Sequence, residues 1–408
     1  MERSLLHWIS MVHPPDKMLF LSGPRQVGKT TLAGMAISAW PAGSRYMNWD
    51  IAEDRLKILR NEDLLAPVRR VGERVMIVFD ELHKMNRFKQ WLKGWHDSHS
   101  HECLTWVTGS GRLDLYQRGG DSLLGRYFPY RLHPLSVAEL GGASSRTSLP
   151  DPDTSWKSFS EGESRKVRDD VLHGLMRFGG FPEPYLKQSA SFHVRWLGTR
   201  RGRVTQEDIR DLTRISDIAR LELLVALLAP RVGSPLSLNS LREDLNVAFE
   251  TVRTWLAALE RTYYVFTVPP FSRRVSRALS KSRKAYFWDW SEVPESPSRL
   301  ENLVASHLLK ACHVWSDLGC GRFELWYVRD KQKREVDFLI SESGRPWLLC
   351  ECKLTDKRPA PSLISFGKML DCSRLVQLVE PQGVREIHRF GDSFVHVSSA
   401  GYFLAHLV

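Results

Sequence analysis

The sequence predicts a multidomain α/β protein, with a parallel α/β sheet first, a mainly helical region next and a second α/β module last. Three observations predict this class. Residues 1–145 alternate short apolar runs with helical stretches, residues 146–293 are mainly helical and end in a short sheet, and residues 294–408 open on a helix before turning into strands. The length of 408 residues agrees with two or three domains of about 150 residues each.

The first region has short apolar runs that predict the strands of the sheet. These runs cover residues 18–22, 45–49, 75–82 and 104–110. Helical stretches at 31–40 and 84–96 separate them. Residues 143–165, rich in Ser, Pro, Asp and Gly, are expected to form an exposed loop or linker before the helical region.

Composition restricts the function classes. Lys and Arg number 58 against 47 Asp and Glu, a net charge of +11, which favours an anionic partner such as nucleic acid. No stretch of 18 uninterrupted apolar residues occurs, so no membrane span is expected. The six cysteines form no C-x-x-C pair, which argues against a disulfide framework or structural zinc site. A cytoplasmic protein is therefore expected.

A phosphate-binding loop is the strongest local motif. The sequence GPRQVGKT, from Gly23 to Thr30, matches G-x-x-x-x-G-K-[ST] and lies between an apolar strand and a helix. Backbone N–H groups of such a loop surround phosphates at a helix N-terminus. Lys29 would reach the β and γ phosphates, and the Thr30 hydroxyl would bind Mg²⁺. A chance glycine-rich turn is the alternative. The predicted nucleotide contacts are Gly23, Pro24, Arg25, Gln26, Val27, Gly28, Lys29, Thr30, Thr31, Asp80 and Ser110.

Two acids follow the apolar run that begins at residue 75. Asp80, at the end of a strand, could hold Mg²⁺ through water, and Glu81 could polarise the attacking water as general base. The alternative is that both acids only favour the dipole of the helix that follows. Together with the phosphate loop, the pair predicts ATP hydrolysis with Mg²⁺ as cofactor.

The next strand and the segment after it add candidate residues. Thr108 or Ser110 would lie beside the γ-phosphate and sense it or position water, or would cap a turn instead. An arginine finger supplied by a neighbouring subunit would stabilise the transferred phosphoryl group, so a homo-oligomer is expected. Arg126 is the predicted finger, with a plain surface arginine as the alternative. The arginines in this segment are Arg112, Arg118, Arg126 and Arg131.

The ordered series of motifs resembles bacterial and archaeal AAA+-type ATPases that carry a C-terminal domain of unknown function. The resemblance implies an ATPase module, a winged-helix segment and a nuclease-like terminal module. The segments that carry it are FLSGPRQVGKTTL (20–32), VFDELHK (78–84), TGS (108–110), LGR (124–126), LSVAEL (135–140), GGFPEP (179–184), KAYFWD (284–289) and REVDF (334–338).

Residues 236–289 also have the pattern of a winged helix-turn-helix. A short helix with capping-box spacing, a turn, a second helix and two strand-like segments follow one another. The loop between the strands is basic, with no acid from Phe271 to Lys284, and could neutralise DNA phosphates. A lid, a subunit contact or a solvated surface are the alternatives. The predicted DNA contacts are Arg253, Arg273, Arg274, Arg277, Lys281 and Arg283, with Lys284 in the same basic run.

The terminal region predicts strands at 322–329, 335–340 and 347–353 after a helix at 299–312. Alternation places Asp337 on one face of its strand, and Glu351 with Lys353 on one face of the next. Neighbouring strands could therefore bring two carboxylates and a lysine together.

Glu301, Asp337, Glu351 and Lys353 resemble the active set of PD-(D/E)XK phosphodiesterases. The resemblance implies Mg²⁺ on Asp337 and Glu351, with Glu301 completing the metal shell or holding a metal-bound water, and an attacking water oriented or deprotonated by Lys353. Val336 stands where the motif has proline. The alternative is an ordinary charged strand pair.

These motifs predict a protein that binds and hydrolyses ATP and binds duplex or branched DNA, with cleavage at the terminal site left open. The alternative is an ATP-gated signalling or defence switch, or a DNA-binding scaffold, whose nuclease-like module is catalytically silent.

Overall fold

The computed structural model describes residues 3–70, 72–109, 123–141, 148–163, 169–209, 217–272 and 282–408. Contacts within the chain divide it into two compact units, Met1–His133 and Pro134–Val408. The division of the chain into three domains stays a prediction.

A five-stranded parallel sheet forms the centre of the first unit, in the order β2-β3-β4-β1-β5. The parallel α/β sheet predicted from the sequence is confirmed. Tyr127–Arg131 was not predicted as a strand, because only Tyr130 in it is buried and it has no apolar run. The strands are β1 (Met18–Ser22), β2 (Ser44–Asn48), β3 (Val75–Asp80), β4 (Cys103–Thr108) and β5 (Tyr127–Arg131).

The central strands β1, β3 and β4 are buried along their whole length, as parallel strands with helices on both faces are. A core cluster packs Phe79 of β3 against Leu92 and Trp95. The helices are α1 (Ser4–Val12), α2 (Lys29–Ala39), α3 (Ala52–Leu59) and α4 (Phe88–His99).

Helices dominate the first half of the second unit. The helices are α5 (Val137–Leu140), α6 (Pro152–Ser160), α7 (Asp169–Phe178), α8 (Pro182–Lys187), α9 (Ala190–Gly202), α10 (Ile218–Leu228), α11 (Leu238–Leu245) and α12 (Phe249–Arg261). A π-helical segment, Arg203–Asp208, extends α9.

The expectation of an exposed loop over residues 143–165 is wrong for helix α6. Asp151 caps the helix by accepting a hydrogen bond from the Thr154 N–H, and Pro152 occupies its first turn. Phe159 is buried and packs edge-on against Phe403, which anchors the helix. The Ser and Pro content marked a helix start, and the apolar contact decided the outcome.

The helix-turn-helix and hairpin elements form where the sequence predicted them. Asn246, in the left-handed conformation, ends α11, and α12 begins at Phe249. Strands β6 (Val265–Val268) and β7 (Lys284–Phe287) then pair antiparallel. The assignment of these elements to a winged-helix fold stays a prediction.

A mixed six-stranded sheet, in the order β12-β13-β11-β10-β9-β8, forms the rest of the second unit. The strands predicted near 322–353 are present, and the nuclease-like fold stays a prediction. The strands are β8 (Phe323–Arg329), β9 (Glu335–Glu342), β10 (Arg345–Lys353), β11 (Leu375–Val379), β12 (Arg385–Phe390) and β13 (Ser393–Ser399). The helices are α13 (Ser296–Asp317), α14 (Pro361–Leu370) and α15 (Ala400–Ala405).

Within the described residues, every helix is too short or too polar to cross a lipid bilayer.

Candidate nucleotide site and carboxylate cluster

The candidate nucleotide site lies at the carboxyl edge of the parallel sheet. Strand β4 lies between β1 and β3, and Thr108 at its end is paired with Leu21 on one side and Asp80 on the other. The phosphate loop follows β1 directly. The sheet therefore brings the loop and Asp80, which are distant in sequence, to adjacent strand ends.

Two glycines allow the loop its shape. A Cβ at Gly23 would lie 2.4 Å from the carbonyl oxygen of Leu132, so a larger residue would displace backbone there. Gly28 precedes α2 with a φ of 101°, a backbone conformation that residues with a side chain rarely adopt. The glycines of the motif are thus required by close approach and by backbone conformation.

Lys29 is the first residue of α2, and its ammonium is held by the loop itself. Its Nζ donates to the carbonyl oxygens of Gly23, at 2.9 Å, and Pro24, at 2.8 Å. These are neutral acceptors, so an anionic phosphate would be a stronger partner for the ammonium. The arrangement suits a lysine that transfers from loop carbonyls to phosphate oxygens.

The Asp80 carboxylate is buried and accepts hydrogens from three hydroxyl groups. Thr30 Oγ1 donates to Oδ2 at 3.0 Å, Thr108 Oγ1 donates to Oδ1 at 2.5 Å, and the Tyr46 hydroxyl also donates to Oδ2. Burial, followed by the hydrogen bond to Asp80, raises the pKa of Tyr46. Tyr46 was missed, because a tyrosine in strand β2 looks like ordinary strand packing.

Thr30 and Asp80 fit Mg²⁺. A hydroxyl and a carboxylate, 3.0 Å apart beside a phosphate loop, are the oxygen donors that this ion takes next to a nucleotide. Both predicted metal residues are thus adjacent, although their role stays a prediction.

Glu81 follows Asp80 in a left-handed backbone conformation, with φ of 57°. Its Oε2 lies 3.2 Å from Lys84 Nζ, and the same ammonium lies 2.6 Å from Asp50. Burial lowers the pKa of Lys84, but the two carboxylates outweigh it and raise the pKa overall. Glu81 thus has a cationic neighbour in Lys84.

The other predicted residues of this unit have different surroundings. Thr108 points to Asp80, as described, and Ser110 lies outside the described residues. Arg126 donates to both carboxylate oxygens of Asp97, from Nε at 2.7 Å and from Nη2 at 3.1 Å. Its role as a finger to a neighbouring subunit stays a prediction.

Of the predicted DNA contacts, Arg253 and Arg283 are described. Arg253 is exposed and pairs with Glu250 one turn away, at 2.5 Å. Arg283 is half-buried and donates to Thr267 Oγ1 at 3.2 Å. The predicted contacts outside the described residues are Arg273, Arg274, Arg277 and Lys281.

Lys284 is not part of an exposed basic loop, so that prediction is wrong. Its side chain is 0% exposed, and it begins the buried strand β7. The acid-free run suggested an exposed side chain, but the carboxylates that face Lys284 come from one later strand, β9, and from α13.

The predicted terminal residues do come together, on α13, β9 and β10. Asp337 accepts the Cys352 N–H on Oδ2 at 2.9 Å, and its own N–H donates to Glu351 Oε2 at 3.3 Å. Lys353 Nζ lies 2.7 Å from Glu351 Oε1. We call Glu301, Glu335, Asp337 and Glu351 the carboxylate cluster. Of these four, Asp337 and Glu351 were predicted from strand alternation in the sequence.

The ammonium of Lys284 lies inside the carboxylate cluster. Its Nζ is 2.8 Å from Glu335 Oε1, 3.3 Å from Glu301 Oε1 and 3.5 Å from Asp337 Oδ1. Burial disfavours the charged amine, but the three carboxylates outweigh burial and raise the pKa of Lys284. Lys284 and Glu335 were both missed as members of this site.

Glu301 is closed off by its surroundings. Tyr286 donates to Glu301 Oε1 at 2.8 Å, and a Cβ at Gly233 would lie 2.6 Å from Oε2. Burial and the charge of Asp337 raise the pKa of Glu301. The same two causes raise the pKa of Glu351.

Asp337 and Glu351 do not fit Mg²⁺ as they stand. Each of their four carboxylate oxygens lies beside a donor: Lys284 and Cys352 for Asp337, Lys353 and Asp337 N–H for Glu351. Mg²⁺ requires oxygens at about 2.0–2.1 Å in octahedral geometry, whereas these oxygens face ammonium groups: Lys284 lies 3.5 Å from Asp337 Oδ1 and Lys353 lies 2.7 Å from Glu351 Oε1. Throughout the described ranges, no group of three His, Cys, Asp or Glu side chains could hold a metal.

Three parts of the chain match known families of domains. Residues 15–141 match an AAA domain. The match supports an AAA-type P-loop ATPase. Residues 169–292 and 298–398 match two domains of unknown function, DUF8612 and DUF4143, neither of which carries a winged-helix or nuclease assignment. The AAA domain indicates ATP binding and, in general, nucleotide hydrolysis.

Two mycobacterial proteins are similar over most of the chain. They are the uncharacterised protein Mb2031c of Mycobacterium bovis and the uncharacterised protein Rv2008c of Mycobacterium tuberculosis. Each is 24% identical over 340 residues, which cover 81% of this chain and 69% of the relative.

Proposed function

We propose that this protein binds ATP with Mg²⁺ and hydrolyses it. The observation that carries the proposal is the convergence of Lys29, Thr30 and Asp80 at one sheet edge, with the Thr30 hydroxyl 3.0 Å from the Asp80 carboxylate. When bound, Mg²⁺ would neutralise charge that develops on the transferred phosphoryl group.

The chain's own residues then have separate roles. Loop N–H groups and the start of α2 would bind the phosphates, and Lys29 would exchange loop carbonyls for phosphate oxygens. Thr30 and Asp80 would hold the metal. Glu81 would accept a proton from the attacking water, with Lys84 positioning its carboxylate.

Phosphate release from ATP tests this proposal. We expect Lys29→Ala to lower turnover by about 100-fold or more, because it removes a transition-state charge partner. Lys57→Ala is the matched control, since Lys57 is a lysine of the same unit that pairs with Glu53 on exposed α3. Wild-type turnover in Lys29→Ala would refute the proposal.

We further propose that the second unit binds DNA through the basic loop and the exposed face of α12. The support is the net charge of +11 and the exposed Arg253 on that helix. Charge reversal at Arg273, Arg274 and Arg277 should weaken duplex binding in a low-salt gel shift. Reversal of three exposed arginines elsewhere, Arg60, Arg70 and Arg345, is the control. Equal affinity for both triple variants would contradict the proposal.

For the terminal module we favour the catalytically silent alternative over cleavage. Its support is the position of Lys284 among the predicted metal ligands. We therefore derive no cleavage step. Incubating plasmid and branched DNA with Mg²⁺ or Mn²⁺ tests this choice: wild-type cleavage that Asp337→Ala abolishes would restore the nuclease prediction.

The arginine-finger role of Arg126 and the homo-oligomer it requires remain part of the proposal. The Asp97 pair would have to open for Arg126 to reach a neighbouring nucleotide. That pair is exposed, so opening it costs little.

A further inference from the structure

The carboxylate cluster contains its own cation. Four acidic side chains meet there, and such a cluster is unstable unless a positive charge lies between its members. The Lys284 ammonium supplies that charge, at 2.8, 3.3 and 3.5 Å from Glu335, Glu301 and Asp337. It is completely buried, so solvent does not compete for it.

Strand pairing fixes the backbone of Lys284 from two sides. Lys284 pairs with Val268 in the β6–β7 hairpin and forms a bridge with Pro235 on the other side. The N–H of Leu236 also donates to the carbonyl of Arg283, at 2.7 Å. With the backbone fixed and the side chain completely buried, the ammonium has no route to solvent unless its surroundings move.

Further cations occupy the cluster's edges. Arg329 Nη1 lies 2.8 Å from Glu335 Oε2, and Lys353 Nζ lies 2.7 Å from Glu351 Oε1. The cluster thus has three basic partners for four carboxylates. A divalent cation would find little uncompensated negative charge, and the Lys284 ammonium, 3.3 Å from Glu301 and 3.5 Å from Asp337, would repel it.

We infer that Lys284 is the resident cation of the carboxylate cluster, and that it excludes divalent metal ions from the position predicted for Mg²⁺. This inference rests on the proposed silence of the terminal module and gives its cause. Its test measures metal binding and not DNA cleavage, so the two proposals can fail separately.

The first experiment uses the full-length wild-type chain without nucleotide. Mn²⁺ is titrated, and free Mn²⁺ is followed by electron paramagnetic resonance for wild type and Asp337→Asn. Both chains keep Thr30 and Asp80, so any Mn²⁺ bound there cancels. We expect coincident binding curves into the millimolar range. A wild-type site lost in Asp337→Asn would overturn the inference, and this comparison does not require any Lys284 variant to fold.

The second experiment removes the ammonium. Lys284→Met should gain one Mn²⁺ site, about tenfold or more tighter than any wild-type binding, and Asp337→Asn in the same chain should abolish it. Lys310→Met is the matched control, because Lys310 is also buried and ion-paired, with Glu139 at 2.6 Å. A folded Lys284→Met chain without the gained site, or an equal gain in Lys310→Met, would overturn the inference.

Discussion

At the nucleotide site, the carboxylate that ends β3 accepts hydrogens from hydroxyl groups, whereas in the terminal module the carboxylates surround an ammonium. Asp80 has Thr30, Thr108 and Tyr46 as donors. These hydroxyls are neutral, so they can stay hydrogen-bonded to Asp80, or bind the cation together with it, when a metal ion enters the site. The Lys284 ammonium cannot share the carboxylates with a metal ion in this way, because it is itself positively charged. Asp80 and the carboxylate cluster therefore differ in the charge of their partners, which are neutral for Asp80 and cationic for the cluster.

Lys284 and Lys29 should therefore contribute differently to the free energy of unfolding. Lys284→Met should destabilise its unit by roughly 3–5 kcal/mol, because it leaves buried carboxylates without their cation. Lys29→Met should cost only about 1 kcal/mol, because Lys29 is bound to loop carbonyls. Calorimetric unfolding of both variants without nucleotide measures the two losses. Equal losses would mean that the two ammonium groups have equivalent surroundings.

Measurements of ATP turnover should distinguish Glu81 from an acid of the same unit that lies away from the nucleotide site. Glu81→Gln should lower ATP turnover by about 100-fold or more while ATP binding persists, because the amide cannot accept the proton of water. Glu53→Gln, on exposed α3, is the control and should retain wild-type turnover. Phosphate release and nucleotide binding are measured on the same preparations. A Glu81→Gln chain that hydrolyses ATP normally would remove Glu81 from the mechanism.

The sequence predicted the acids better than their partners. Asp80 could be found because it ends an apolar strand whose parallel neighbours end at the same edge, and Asp337 because strand alternation sets the face on which it lies. Lys284 could not, because its carboxylates come from elements that begin at least 12 residues later in the chain. Local sequence showed it as one more member of a basic run and as the first residue of the KAYFWD segment, without indicating its acidic partners. Tyr46 shows the same limit, since its acceptor Asp80 lies on another strand.

The pH dependence of stability should distinguish the terminal carboxylates. Burial and the charge of Asp337 raise the pKa of Glu351 from 4.5 to about 7. Between these values the folded chain binds more protons than the unfolded chain, so this group's contribution to stability falls as pH rises. Glu351→Gln should therefore gain about 2–3 kcal/mol relative to wild type between pH 4.5 and 7.

Urea unfolding of both chains across this pH range measures the difference. Glu386→Gln, at an exposed position on strand β12, is the control substitution. If the difference between Glu351→Gln and wild type did not change with pH, Glu351 would be charged throughout the range and fully compensated by Lys353.

Substituting Tyr46 should have the smallest effect, because it removes one of the three hydroxyl donors to Asp80 and leaves the other two. Tyr46→Phe should lower turnover about three- to tenfold and raise the Mg²⁺ concentration needed for half-maximal rate, since Asp80 loses part of its positioning. ATP binding without Mg²⁺ should stay unchanged. Tyr130→Phe, which removes a hydroxyl bonded to His13 at 3.2 Å, is the control. An unchanged Mg²⁺ requirement in Tyr46→Phe would show that Thr30 and Thr108 orient Asp80 without it, and that the hydroxyl of β2 serves packing alone.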